Sequence, residues 1–141
     1  MQEVQHILMV DDDADDQFLF VEALKQIQQS CTCEIANNGL EALEKLDTLP
    51  EPEIIFLDVN MPIMNGFDCL RSLRAHDSYK HIPVIIYTTT KDAESVNLFR
   101  NLGANAYFQK PINFSQLQFK LKKLLGMHTP NQKYWDADFV I

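Results

Sequence analysis

Short apolar runs alternate with helical patterns along the whole 141-residue chain. The runs that predict strands are residues 6–10, 32–36, 53–58, 82–88 and 105–109. Between and after these runs, apolar residues recur at helical spacing in 14–29 and 38–48, and around Leu70, Phe99 and Leu121. Because the runs are apolar on both faces, we expect parallel strands covered by helices on both sides. The pattern therefore predicts an α/β fold with a doubly wound, five-stranded parallel sheet and five helices.

Polar side chains stand where four of the predicted strands end. They are two aspartates after the first strand, one after the third, and a threonine and a lysine at the ends of the fourth and fifth: Asp11, Asp12, Asp58, Thr88 and Lys110. Ligands of doubly wound sheets bind at this edge. Close carboxylates repel one another by on the order of 4 kcal/mol per pair at intermediate dielectric, and a bound cation removes that penalty. Oxygen donors at the edge predict a site for Mg²⁺ and a phosphoryl group.

The acidic segment 11–16 has a second explanation, because acidic residues at a helix start interact favourably with the helix dipole. That explanation suits Asp15 and Asp16 but not the polar residues at the other strand ends. Within the triple aspartate, we assign Asp11 and Asp12 to the edge because the apolar run stops just before them. Asp13 then begins the loop.

The formal net charge of −8 is unevenly distributed along the chain. Residues 1–94 carry 18 acidic and 6 basic side chains, whereas residues 95–135 carry 6 basic side chains and no acidic one. An acidic total disfavours general binding to nucleic acid, but the basic third of the chain can bind an acidic partner. A second interpretation is that its lysines form the solvated face of an amphipathic helix, namely Lys120, Lys122 and Lys123.

The sequence contains no apolar stretch long enough to span a membrane, and residues 1–5 lack the features of a signal segment. The three cysteines, Cys31, Cys33 and Cys69, lack the paired spacing of a zinc site. A disulfide bond between Cys31 and Cys33 would be strained, since the two are close neighbours on one strand. We therefore expect a cytoplasmic protein whose cysteines are small packing residues and which does not bind membranes or nucleic acid directly.

Five motifs in order resemble the receiver domain of two-component response regulators. They are Val10-Asp11-Asp12, Leu57-Asp58-Val59-Asn60-Met61-Pro62 with Gly66, Thr88, Gly103-Ala104, and Tyr107 before Lys110-Pro111. The resemblance covers nearly the whole chain. It implies a flavodoxin-like three-layer sandwich with strand order 2-1-3-4-5. It also implies a receiver domain over residues 1–126, followed by a C-terminal tail over 127–141.

The same resemblance implies a role for each residue at the strand ends. Asp58 would accept a phosphoryl group from a histidine kinase or a phosphotransfer protein in a Mg²⁺-dependent reaction. The receiver itself would catalyse both its phosphorylation and its dephosphorylation, without being classed as an enzyme. Asp12 would bind Mg²⁺ directly, Asp11 would act through water or as a second ligand, and Asp58 and the carbonyl of Asn60 would complete the protein ligands. Lys110 would pair with Asp58 before transfer and with the phosphoryl oxygens afterwards.

The resemblance further implies a switch made of Thr88 and Tyr107. Thr88 would donate its hydroxyl to the phosphoryl group and move inward, and Tyr107 would follow from an exposed to a buried position. The alternative is that Tyr107 simply packs at the end of an edge strand. By analogy with the family, we also expect a cis peptide bond before Pro111.

Residues 127–141 are too few for an output domain, so the resemblance implies a stand-alone receiver that signals through an unidentified downstream protein. We expect contact at the fourth helix, fifth strand and fifth helix around Tyr107. The tail segment 134–141 is aromatic and apolar. It either docks on its own domain or a neighbour, or is partly disordered.

Two interpretations from other classes stay open. A phosphatase or phosphotransferase with an aspartyl nucleophile also uses Mg²⁺, threonine and lysine, but it normally has a substrate-covering cap and a second aspartate where this chain has Asn60. A constitutive interaction domain would keep the fold without being phosphorylated. It is expected to have lost acidic or lysine positions, and none is lost here.

Overall fold

The computed structural model describes residues 4–126 and 139–141 with their side chains, and the backbone of residues 128–129 and 132–133. Five strands form the main sheet: β1 His6–Val10, β2 Thr32–Ala36, β3 Ile54–Leu57, β4 Val84–Thr88 and β5 Ala106–Gln109. All neighbouring strands are parallel and their order is β2-β1-β3-β4-β5, so the predicted doubly wound sheet is confirmed.

Five helices alternate with these strands, as predicted. They are α1 Ala14–Ile27, α2 Gly39–Thr48, α3 Gly66–Ala75, α4 Ala93–Leu102 and α5 Phe114–Gly126. A short antiparallel pair, β6 His128–Thr129 and β7 Gln132–Lys133, follows α5. Within the described part of the chain, no helix is both long and apolar enough to cross a membrane.

Short polar side chains begin each helix, because they satisfy amide groups that the first turn leaves unpaired. Asp92 and Asn113 cap α4 and α5 in this way: their side chains accept hydrogen bonds from the amides of Ser95 and Gln116. Gly103 ends α4 with φ at 105°, a left-handed conformation that favours glycine. Local capping chemistry thus fixes where the helices start and stop.

Two apolar layers lie on opposite faces of the sheet. Helices α1 and α5 cover one face, where the rings of Phe20, Phe56 and Tyr87 pack edge to face. Helices α2, α3 and α4 cover the other face, which includes Phe99 and Tyr107. Burial on both faces explains why the strands are apolar throughout, and it leaves the carboxyl ends of the strands as the open edge for polar groups.

The three cysteines are unbonded, as expected of packing residues. Burial raises the pKa of Cys33 and of Cys69 to about 12, and that of Cys31 to about 11. Since the thiolate is the reactive form, all three are poor nucleophiles at neutral pH.

Candidate functional site

The first two carboxylates of the site are positioned by adjacent strands. Val10 of β1 and Leu57 of β3 are register partners, so Asp11 and Asp58 follow at the same level of the sheet. The amide of Asp58 donates to the carbonyl of Val10 over 2.9 Å, which continues the ladder into the site. Asp11 is fully buried and Asp58 is 7% exposed. The sheet therefore holds two carboxylates side by side in a poorly hydrated edge.

Lys110 lies among these carboxylates with its side chain 9% exposed. Its Nζ is 2.8 Å from Asp11 Oδ2, 2.8 Å from Asp16 Oδ2 and 3.6 Å from Asp58 Oδ2. Its amide donates to the carbonyl of Thr88 over 2.7 Å, which fixes the backbone just after β5. One ammonium group thus serves three carboxylates, and the cluster keeps an excess of negative charge.

The excess charge is visible in the pKa values. The pKa of Asp58 is raised to about 6. Burial is the largest cause, the negative charge of Asp11 adds to it, and the positive charge of Lys110 offsets only part of the increase. Burial also raises the pKa of Asp11. For Lys110 burial acts to lower the pKa, but hydrogen bonds to Asp11 and Asp16 outweigh it, and the net shift is upward. Lys110 therefore stays charged at neutral pH, while Asp58 is costly to ionise.

A divalent cation fits this donor set. One carboxylate oxygen from each of Asp11, Asp12 and Asp58 lies within 4.8 Å of the other two. The buried Oδ2 atom of Asp11 lies 2.8 Å from Lys110 Nζ and has no further hydrogen-bond donor among the described residues. Asp12 and Asn60 are exposed, so the site opens to solvent on their side. Oxygen donors with an open side suit Mg²⁺, which retains several waters.

The loop after β3 brings a second element against Asp58. The amide of Met64 donates to the carbonyl of Pro62 over 2.7 Å, and Ile63 between them has φ at 66°. This is a tight γ-turn that is strained for a β-branched residue. Gly66 then begins α3, and a Cβ there would lie 2.2 Å from the carbonyl oxygen of Asp58. The backbone of α3 is thus packed directly against the residue at the centre of the site.

The two predicted switch residues lie on adjacent strands. Thr88 ends β4 and is 1% exposed. Tyr107, on β5, is fully buried, and its hydroxyl donates to the carbonyl of Thr90 over 2.7 Å and lies 3.2 Å from the hydroxyl of Ser95. The tyrosine therefore occupies the buried one of the two positions expected for it, with its hydroxyl held by the loop that leads into α4.

The family model for the response regulator receiver domain matches residues 7–122. This chain belongs to the response regulator receiver family. Chemotaxis protein CheY1 of Helicobacter pylori is 34% identical over 120 residues, which cover 85% of this chain and 96% of the relative. Two-component response regulator ARR17 of Arabidopsis thaliana is 34% identical over 134 residues, covering 86% of this chain and 85% of the relative.

Solved structures of response regulators have the same fold as this receiver domain. The Mn²⁺-bound form of response regulator Rcp1 superposes with a TM-score of 0.77 at 28% identity, covering 89% of this chain and 97% of Rcp1. The phosphorylated cyanobacterial phytochrome response regulator RcpA gives a TM-score of 0.82 at 25% identity, covering 92% and 99%. Receiver domains bind Mg²⁺ or Mn²⁺ at an acidic cluster, and this chain contains an acidic cluster of Asp11, Asp12 and Asp58.

The receiver domain differs from the sequence-based expectation at two points near Lys110. The described residues contain no cis peptide bond, so the expected cis bond before Pro111 is wrong. The trans isomer is also the intrinsically favoured one, by about 0.5–1 kcal/mol. Asp16, assigned to the helix dipole, lies in the first turn of α1 and also forms an ion pair with Lys110, which was not predicted. Its position in the first turn of α1 is compatible with both roles, and no sequence signal separates them.

Gly66→Ala is expected to destabilise this receiver domain by several kcal/mol, because the new methyl group would overlap the Asp58 carbonyl and force α3 away from β3. Gly126→Ala is the matched control, since no atom of the described residues lies within 4 Å of a Cβ at that helix end. Chemical denaturation of both variants measures the difference. Equal stability of the two variants would contradict the close packing of α3 on Asp58.

Proposed function

We propose that this receiver domain accepts a phosphoryl group on Asp58 in a Mg²⁺-dependent reaction. The observation that carries the proposal is the arrangement of Asp58, with a charged Lys110 ammonium 3.6 Å from its Oδ2 atom and two further carboxylates within metal-binding distance. A carboxylate oxygen would form a bond to phosphorus as the bond to the donor's histidine nitrogen breaks, and the released imidazole takes up a proton. The product is an acyl phosphate on Asp58.

The residues around Asp58 make this attack possible by reducing charge repulsion. Both the nucleophile and the phosphoryl group are anionic, so positive charge is required where they meet. Lys110 supplies part of it and can move from Asp58 to the phosphoryl oxygens. Asp11, Asp12, Asp58 and the carbonyl of Asn60 would hold Mg²⁺, which neutralises the remaining charge. Similarity to receiver domains supports this ligand set.

The response to phosphorylation is proposed to pass through Thr88 and Tyr107. Thr88 lies at the end of β4, the strand next to β3, and has a hydroxyl to donate to a phosphoryl group on Asp58. Tyr107 follows on β5, and its hydroxyl contacts the segment just after Thr88. Movement of that segment would change the hydrogen bond that the Tyr107 hydroxyl donates to it. The pair is therefore a two-state element biased by local charge.

The phosphoryl donor is proposed to be a histidine kinase or phosphotransfer protein in the cytoplasm, where the unbonded cysteines fit a reducing compartment. The similarity to CheY1, which covers 96% of that relative, supports a receiver that signals by protein contact. An acidic downstream partner would meet the basic α5. Lys122 and Lys123 are exposed there, whereas Lys120 lies partly buried with its ammonium over the Phe108 ring.

Incubation with acetyl phosphate and Mg²⁺, followed by intact-mass measurement, tests the proposal. We expect the gain of one acid-stable, base-labile phosphate, mapped to the peptide that contains Asp58, and little gain when EDTA replaces Mg²⁺. No mass gain in a protein that remains folded would instead favour a constitutive interaction domain. Turnover of the phosphodonor without a phosphorylated protein would favour an enzyme.

A further inference from the structure

The C-terminal segment 139–141 lies along the outer edge of β5. Strand β5 ends the sheet, so the outward amide and carbonyl of Tyr107 have no strand neighbour within the five-stranded sheet. The Tyr107 amide donates to the carbonyl of Phe139 over 2.8 Å, and the Ile141 amide donates to the carbonyl of Tyr107 over 2.8 Å. Val140 is the parallel bridge partner of Tyr107. The segment thus adds a short sixth strand.

One aromatic side chain anchors this added strand. Phe139 is 7% exposed and packs on Tyr107 with ring centroids 6.4 Å apart. The guanidinium of Arg100 on α4 lies 4.6 Å from the centre of the Phe139 ring. Val140 between the two bonded residues is 39% exposed. The pocket formed by β5 and α4 therefore accepts an extended backbone and one aromatic ring, with a cation over that ring.

The contact between segment 139–141 and β5 is small enough for another peptide to displace the segment. The contact consists of two backbone hydrogen bonds and one buried phenylalanine ring. Ordering the segment opposes the gain from these interactions. The segment Asp136-Ala137-Asp138-Phe139 is also acidic before its aromatic residue, and residues 95–135 of the chain contain no acidic side chain. An acidic peptide whose aromatic ring takes the place of Phe139 would bring its negative charge near Arg100, the cation that contacts that ring.

We propose that the β5 edge is an acceptor site for an extended, acidic peptide strand with one aromatic residue, and that segment 139–141 is its internal competitor. A partner protein binds by strand addition to β5 and displaces the segment from Tyr107. The Tyr107 hydroxyl is held by Thr90 and Ser95, so exchange at this edge acts on the loop after β4. The proposal goes beyond phosphoryl acceptance and does not depend on it.

Single-residue hydrogen exchange in the full-length chain tests the internal contact. Phe139→Ala removes the anchor, and Ile141→Pro removes the amide donor while leaving the anchor. Both are expected to raise the exchange rate of the Tyr107 amide at least tenfold, with amides of β1 and β3 unchanged. Val140→Ala is the matched control and should leave the rate unchanged. Unchanged exchange at Tyr107 in both variants would overturn the proposal.

A synthetic peptide with the sequence of residues 136–141 tests the acceptor site. By NMR titration it is expected to shift Tyr107 and Arg100 amides of the Phe139→Ala protein, and to bind wild type at least tenfold more weakly because the site is filled. The same peptide with alanine in place of phenylalanine should not bind. Equal affinity for wild type and variant would contradict internal competition.

Light scattering across a concentration series tests whether the segment that pairs with Tyr107 belongs to the same chain or to a second copy of it. A monomer with a protected Tyr107 amide supports the internal segment. A dimer that protects Tyr107 only at high concentration, and that is lost in Phe139→Ala, would assign the segment to a second copy and overturn the proposal. All three measurements use unphosphorylated protein, so their failure leaves the assignment of Asp58 untouched.

Discussion

Asp58→Asn is expected to abolish phosphorylation and at the same time to stabilise the unphosphorylated protein by about 2–3 kcal/mol at pH 7.5 in EDTA. The nucleophilic oxygen is lost, so no acyl phosphate can form. Stability rises because burial and the charge of Asp11 make ionised Asp58 unfavourable, as its pKa of about 6 indicates. Asparagine has nearly the same shape without the charge.

The stability difference has a defined pH dependence. Because the pKa of Asp58 is raised in the folded state, protonation of this group stabilises the fold, fully so below the unfolded value of 3.8. This contribution is lost as the pH rises through about 6. The advantage of Asp58→Asn should therefore be largest above pH 7 and shrink toward zero near pH 4. Mg²⁺ should reduce it at neutral pH by stabilising the ionised wild type.

Urea denaturation of both proteins between pH 4 and 8, with and without Mg²⁺, measures these differences, and intact mass after phosphodonor treatment measures phosphorylation. Asp77→Asn is the control, because the Asp77 side chain is 95% exposed and its removal should change stability little at any pH. A stable Asp58→Asn protein that still gains a phosphate would exclude Asp58 as the acceptor.

Lys110→Ala is expected to destabilise the protein by about 3–5 kcal/mol at neutral pH without Mg²⁺. The substitution leaves Asp11, Asp16 and Asp58 without the one ammonium group that contacts all three. Asp11 is the most affected, since it is fully buried and would become an unpaired charge. Mg²⁺, or a pH low enough to protonate the carboxylates, should restore part of the loss.

Thermal unfolding with and without Mg²⁺ tests this role, with Lys25→Ala as the control. The Lys25 side chain is 64% exposed and its ion pair with Glu22 spans 3.7 Å, so its removal should change stability by less than about 1 kcal/mol. Phosphorylation of Lys110→Ala can survive, but we expect partner binding to lose its response to phosphate. A variant as stable as wild type in EDTA would contradict the charge balance inferred for the site.

The order of elements and the residues at the strand ends could be predicted because both depend on local patterns. A strand buried on both faces must be apolar along its length, and its end is marked by the first polar residue, as at Asp11 and Asp58. Helix starts at Asp92 and Asn113 follow from short-range hydrogen bonds. Since parallel strands all end at one edge, the local pattern alone brings Asp11, Asp58, Thr88 and Lys110 to that edge.

Contacts between distant segments were decided by the tertiary structure. The partnership of Lys110 with Asp16 joins residues 94 positions apart, and no sequence spacing encodes it. The strained turn at Ile63 has no signal in the sequence. For the tail segment 134–141 the sequence left docking and disorder as alternatives. Residues 134–138 of that tail lie outside the described part of the chain, whereas 139–141 pair with β5. The sequence thus determined which groups reach the edge, because strand periodicity is local. Folding decided which of them pair and what covers Tyr107, because those choices depend on through-space distance and burial.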